Sequence, residues 1–198
     1  RSDVTVELVR HSASDADVLF AARVSTQGEQ TLEAASAGAE ASERDRGLIN
    51  YLMRDRHGSP FEHNSLTFYV QAPIFVFREF MRHRIASYNE ESGRYRELRP
   101  VFYVPGPERK LIQVGKPGAY EFEDGTPEQT SLVHDEVVSV CTQAYESYQR
   151  MLEAGVAREV ARAVLPVTLY SSMYVTMNAR SSMNFLSLRT KREGTHFP

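Results

Sequence analysis

The sequence predicts a single mixed α+β domain, and three observations lead to that class. Val4–Val9 and Leu66–Val70 are β-branched or aromatic runs of strand length. Thr126-Pro127-Glu128-Gln129 opens an amphipathic helix of about 28 residues, with a Thr cap, Pro in the first turn and Gln three residues on. Shorter helical periodicities lie between and after these segments, and no repeat or compositional break divides residues 1–198.

In chain order, Val4–Val9 is the first strand, and Ser14 or Asp15 caps a short helix carrying Val18, Leu19, Phe20 and Ala22. Residues 26–40 offer almost nothing large to bury and predict a surface loop or a frayed helix. Ser42 and Asp45 start a helix with Leu48, Tyr51 and Leu52 on its inner face. His57-Gly58-Ser59-Pro60-Phe61-Glu62-His63 breaks it with a turn, and Leu66–Val70 follows as a strand. Pro73 suits the first turn of a helix whose apolar face is Ile74, Phe77, Phe80 and Met81, and which carries Arg78 and Arg82 one turn apart.

Phe102–Pro105 predicts a short strand, and residues 110–126, rich in Gly, Pro and acid, an exposed insertion. The long helix places Val133, Val137, Val140, Ala144, Tyr148 and Met151 on one stripe, with Gly155 closing it and Cys141 beside the stripe as a small buried hydrophobe. This helix is expected to be a scaffold or a subunit interface. Arg158–Val164 is a second short helix ended by Pro166, with Arg162 turned towards a cavity. Leu169–Met177 is β-like, and Asn178–Asn184 turns into a last helix with Arg189 at its far end.

Composition narrows the chemistry. A net charge of -3 and a pI near 6.1 argue against a general polyanion binder, so any anion site is local. The single Cys141 rules out an internal disulfide framework and suits a reducing cytoplasm. No run approaches the roughly 20 apolar residues of a membrane span. Arg1 opens the chain without Met, and a C-terminal segment is expected beyond Pro198.

The stretch Arg82–Tyr95 concentrates the functional signal. Arg82, His83 and Arg84 come in a row, seven residues follow, and then Ser92-Gly93-Arg94-Tyr95. Arginine presents a planar fork of donors matched to carboxylate and phosphate oxygens. Such a cluster is a ligand cradle or a solvated, salt-bridged surface loop, and the interleaved Ser, Asn and Gly favour the cradle. A nucleotide- or RNA-binding module stacking bases on Tyr88, Tyr95 and Tyr103 would use the same arginines. A metal site of His57, Glu62, His63 and His83 lacks helical zinc spacing, so no metal is expected. Ser92 as a nucleophile lacks an evident histidine partner in the sequence.

Arg82-His83-Arg84, seven residues and Ser92 resemble the signature of the flavin-dependent thymidylate synthases. The segments 57–63, 161–166 and 178–185 resemble other parts of that family, in the same order, so that the likeness covers most of the chain after about Leu48. The resemblance implies a mostly antiparallel sheet packed with helices, and a homotetramer whose active sites are shared between subunits. It implies thymidylate made from deoxyuridine monophosphate (dUMP), with methylenetetrahydrofolate as carbon donor and FAD reduced by NADPH as hydride source. It implies no protein nucleophile, nucleic acid or membrane.

Carried over onto this sequence, the FAD contacts would be Ser59, Arg82, His83, Arg84, Glu90, Asn178, Ala179, Arg180 and Asn184. The nucleotide contacts would be Glu79, Phe80, Met81, Arg82, Glu90, Glu91, Ser92, Gly93, Arg94, Arg162 and Arg189, with Arg189 as the catalytic group facing the uracil. His57 would lie on the flavin or folate side. Glu79 stands where many members carry Gln, and Phe80 where Trp is common. Glu79 would repel the nucleotide phosphate unless Arg78 or Arg82 neutralises it, or would bind a sugar hydroxyl instead.

Overall fold

β-branched and aromatic residues make the sheet, and alternation decides its two faces. The computed structural model describes residues 1–29 and 42–190. Strands β1 (Thr5–Ser12), β2 (Ser65–Pro73), β3 (Ser87–Glu90) and β6 (Tyr170–Met177) form one antiparallel sheet in the order β1-β2-β6-β3. Its inner face carries Val70, Ala72, Met173, Val175 and Met177. Helix α3 (Ile74–Phe80) presses the fully buried Phe77 onto them, with Phe80, Met81 and Tyr88 at the margin. Full burial of an aromatic side chain of this size stabilises by about 2 kcal/mol. The outer face is polar: Thr67 and Thr176 share a hydrogen bond of 2.9 Å, as do Tyr69 and Ser172.

A second core joins helices α1 (Asp15–Gln27) and α2 (Glu43–Arg54) through Val18, Leu52 and Phe61. Met183 of α6 (Ala179–Arg189) packs on it, as does Phe61's own short 3-10 turn, Ser59–Glu62. Ser14 and Ser42 cap the two helices as expected. Helix α4 (Pro127–Glu153) has the expected capping box of Thr126 and Gln129, and Gly155 follows its end at φ 80°, a conformation that favours glycine. The buried Tyr148 hydroxyl accepts the Leu98 amide at 3.2 Å, and the Tyr145 hydroxyl donates to the Leu98 carbonyl at 3.1 Å. The long helix thereby holds the segment that follows Tyr95.

Several expectations require correction. Helix α3 stops at Phe80, so Arg82 lies in the turn beyond it rather than one helical turn from Arg78. The stretch after it does not continue as a loop: Ser87–Glu90 pairs with β6, because Tyr88 alternates inward onto the core. Residues 110–126 are exposed but ordered as a hairpin, β4 (Ile112–Lys116) and β5 (Ala119–Glu123), with Gly115 and Gly118 supplying positive φ at the turn. Phe102 makes only an isolated bridge to Leu169.

In α4 the buried stripe passes through Cys141, and Val140 points outward at 53% exposure. Tyr51 is likewise exposed and stacks on His57 at 5.6 Å, while Asp45 is the buried polar residue of α2. The short segment after α4 is one turn of α5 (Arg158–Ala161) that tightens to a 3-10 turn, Arg162–Val164. The part of the 26–40 expectation beyond Glu29 lies outside the described residues.

Candidate active site

The candidate residues gather in three places. The first is a cavity of about 290 Å3 between the turn after α3 and the face of α6. Arg82, His83 and Arg84 line one wall, and Ser181, Asn184, Phe185 and Arg189 the other. Helix periodicity explains the second wall: Ser181, Phe185 and Arg189 are successive turns of one helix. Arg189 Nε donates to His83 Nε2 at 3.1 Å. Burial first, and then the charge of Arg189, push the His83 pKa below its ordinary 6.5. Among the described residues neither Arg82 nor Arg84 has an ion-pair partner.

The second place adjoins the N-terminus of α6. Arg180 is ion-paired with Glu62 of the 3-10 turn. Gly58 lies so close to Arg180 that an added Cβ would fall 2.7 Å from its Nε. Asn178 caps α6 by accepting the Ser181 amide at 2.9 Å, and the Ala179 amide donates to Asn64 Oδ1 at 2.7 Å. That bond fixes the Asn64 amide and leaves its buried Nδ2 without a hydrogen-bond partner among the described residues. Ser59 starts the facing turn.

The third place lies at the far end of β3. Glu90 pairs opposite Met173, and the Glu91 amide extends the ladder to the Ser172 carbonyl at 2.8 Å. Glu91 is ion-paired with Arg96 at 3.1 Å. The Ser92 hydroxyl accepts the Arg94 amide at 3.3 Å, which closes a tight turn around buried Gly93. Arg94 is held by Glu159 at 3.2 Å. An added Cβ on Gly93 would sit 3.3 Å from Arg162 Cδ, so Arg162 lies beside this turn.

The expected residues are therefore real neighbours, but in groups. Arg189 lines the first cavity with Arg82–Arg84, whereas Arg94 and Arg162 do not line it. Strand β3 stands between the groups, and the strand itself spans about 10 Å at ~3.3 Å per residue. Glu79, Phe80, His83 and Arg189 also edge an apolar groove of about 490 Å3, walled by Val4, Val6, Phe68, Val76 and Leu186. Met81 packs against the inner-sheet core. Among the described residues no three His, Cys, Asp or Glu side chains are placed to hold a metal. No described helix is long and apolar enough to cross a membrane.

Sequence reasoning missed three side chains of this region. Tyr88 reaches the His83 carbonyl at 2.5 Å and the Phe80 carbonyl at 3.3 Å, and so shapes the turn that carries Arg82–Arg84. Glu159 and Asn64 were also missed. For Tyr88 the missed signal was period-two alternation; for the other two, tertiary contacts alone reveal the role.

Residues 7–196 match the family model described as thymidylate synthase complementing protein. The flavin-dependent thymidylate synthase of Streptomyces coelicolor is 67% identical over 199 aligned residues, which cover all of this chain and 80% of that protein. That of Tropheryma whipplei is 61% identical over 99% of this chain and 80% of its own length. The chain belongs to the flavin-dependent thymidylate synthase family. Crystal structures of the UMP/dUMP methylase PolB from Streptomyces cacaoi superpose on the whole chain and about four fifths of their own. The structure bound with 5-Br UMP gives a TM-score of 0.85 at 52% identity, and that bound with 5-Br dUMP gives 0.86 at 54%.

For a flavin-dependent thymidylate synthase the first two groups of residues are the ones to test against a flavin. They fit. The unneutralised Arg82 and Arg84 would meet a diphosphate, Ser181 and Asn184 offer polar contacts, and Asn64 Nδ2 is a buried donor still without an acceptor.

Proposed function

We propose that this chain converts dUMP to thymidylate, taking carbon from methylenetetrahydrofolate and hydride from FAD that NADPH has reduced. The observation that carries the reading is the pairing of Arg189 with His83 on the wall of a cavity whose other arginines lack counter-ions among the described residues. A flavin bound there supplies the redox chemistry, which belongs to the cofactor. Arg82, His83, Arg84 and Asn184 hold it on one side, with Ser59, Asn178, Ala179 and Arg180 on the other and Glu90 at the junction. Glu62 must share Arg180 with any anion that binds there.

Ser92, the amides around Gly93, and Arg94 surround the nucleotide phosphate, with Arg162 beside them. Glu90 and Glu91 accept from the sugar side, and Glu79, Phe80 and Met81 border the nucleotide from α3 and its end. Arg189 faces the uracil and stabilises the negative charge that develops as C5 becomes nucleophilic. Cys141 is buried against Thr168 and takes no part, so no protein nucleophile is invoked.

The separation of Arg94 from Arg189 within one chain supports a site completed by another subunit, in a homotetramer. The open apolar groove supports the same reading, since Val4, Val6 and Leu8 lie 49%, 61% and 51% exposed on one face of an edge strand. A cytoplasmic enzyme is consistent with one reduced, buried cysteine.

The deciding experiment uses the purified protein. It should be yellow, release FAD on denaturation, and form thymidylate from dUMP when NADPH and methylenetetrahydrofolate are supplied. A colourless protein that also fails to take up added FAD would refute the reading.

A further inference from the structure

We propose that His83 is the positioning residue that sets the posture of Arg189, by accepting its Nε–H. The inference rests on the reading of Arg189 as the uracil-facing group, and it adds how that group is aimed. Four observations carry it. The Nε–Nε2 separation is 3.1 Å, a hydrogen-bond length. The imidazole is wedged edge-on against Phe185 at 4.8 Å, with Phe80 at 6.5 Å on the α3 side. Its main chain is clamped by the Tyr88 hydroxyl at 2.5 Å from the His83 carbonyl. Phe185 and Arg189 are one turn apart on α6, so a single helix face delivers both the wedge and the donor.

The chemical consequence follows from guanidinium geometry. With Nε–H bound to His83, the two terminal nitrogens remain as a parallel pair of donors. Such a pair suits the planar edge of a pyrimidine carbonyl and its adjacent ring nitrogen once that nitrogen has lost its proton and can accept. A guanidinium without the Nε anchor rotates about its last torsions and presents that pair only part of the time. Orientation of this kind contributes to rate as well as binding.

Accepting at Nε2 requires the neutral ring with its proton on Nδ1. The groups facing the ring agree. Arg82 and Arg84 flank it on its own turn, Arg189 faces it from α6, and Glu79 on α3 is the acidic residue bordering the same groove. Ser181 and Asn184 of α6, Tyr88 of β3 and Met177 of β6 add no charge. Burial and the Arg189 charge both disfavour the imidazolium. Protonation would remove the acceptor and set two cations against each other. The contact is therefore complete above 6.5 and lost as pH falls through the lowered His83 pKa.

Two holoenzyme variants test this. His83→Phe keeps the aromatic wedge and removes the acceptor; His83→Gln restores an acceptor that does not titrate. In 15N-arginine-labelled protein, the Arg189 Nε–H signal (assigned by its loss in Arg189→Lys) should exchange slowly with solvent at pH 7. It should turn fast in His83→Phe and stay slow in His83→Gln. Thymidylate formation should fall on the order of 100-fold in His83→Phe. His83→Gln should recover most of the rate and lose the acid limb of the kcat profile. In an Arg189→Lys background, His83→Phe should have little further effect. Equal exchange in wild type and His83→Phe, equal rate losses in the two variants, or an acid limb that persists in His83→Gln would each overturn the proposal. A wild-type protein that makes no thymidylate would refute the functional reading instead, and the exchange measurement would still decide the contact.

Discussion

Arg189 and Arg94 divide the proposed chemistry between charge development and phosphate binding, and each can be removed alone. Arg189→Ala should leave FAD bound and abolish measurable thymidylate formation, a loss of about 3 kcal/mol or more of transition-state stabilisation. Normal turnover in that variant would take Arg189 out of the mechanism. Arg94→Ala should weaken dUMP binding more than FAD binding, read by titration of each ligand; the reverse order would mean that the division between ligands is wrong. Gly93 sets the approach between them. Its substitution by Ala places a methyl 2.7 Å from Leu98 Cδ1, and Leu98 is pinned at both its amide and its carbonyl by Tyr148 and Tyr145. We expect a destabilisation of about 1–3 kcal/mol in denaturant unfolding together with weaker dUMP binding. At this scale the sequence was legible where residues adjoin in the chain, as in Arg82–Arg84 and Ser92–Arg94. Pairings across long stretches were not: Arg94 with Glu159, Arg180 with Glu62, and the orphaned Asn64 donor depend on folding to become neighbours.

Helix ends and strand alternation were read well, and the failures have physical causes. Ser14, Ser42 and Thr126 announced their helices because a side-chain oxygen ahead of a periodic run satisfies otherwise unpaired amides. β3 was missed because four residues between charged stretches carry too little alternation to stand out. The 112–123 hairpin was missed because Gly and Pro suggested a loop. Val140 was placed inward because a step of three and a step of four are equally helical, and only packing chose Cys141. In α2, the Asp45 carboxyl accepts from the Ser42 amide and hydroxyl and pairs with Arg23 of α1. The Ser42 bonds, followed by the Arg23 charge, hold its pKa below 3.8. A lowered carboxylate pKa stabilises the fold above its unfolded value and loses that contribution as pH falls through the folded value. Asp45→Asn should therefore lower Tm at pH 7, and the gap from wild type should close progressively below 3.8. A gap independent of pH would assign Asp45 only a packing role.

At the scale of the molecule, one polar face and one partly open apolar face of the same sheet ask for different neighbours. The antiparallel α+β architecture followed from the resemblance together with the strand and helix patterns, whereas strand order could not be read from local signals. Val6 tests the proposed tetramer, because it is 61% exposed on the apolar groove and is not itself a proposed ligand contact. Val6→Asp should shift the particle mass measured by light scattering below that of a tetramer, with lower activity at dilute protein concentration. An unchanged tetramer would place the subunit contacts elsewhere.

Strand β3 is four residues long and bonded to β6 along its whole length. It is in effect a gauge block between the arginine turn and the Gly93 turn, since hydrogen-bonded backbone neither stretches nor shortens. Outward positions such as Asn89 can change identity without altering that length. Deleting Asn89 would shorten the span by about 3.3 Å and, with Glu90 kept in register on β6, turn Tyr88 to the opposite face. Both turns would keep their own sequences, yet neither would remain in step with the other.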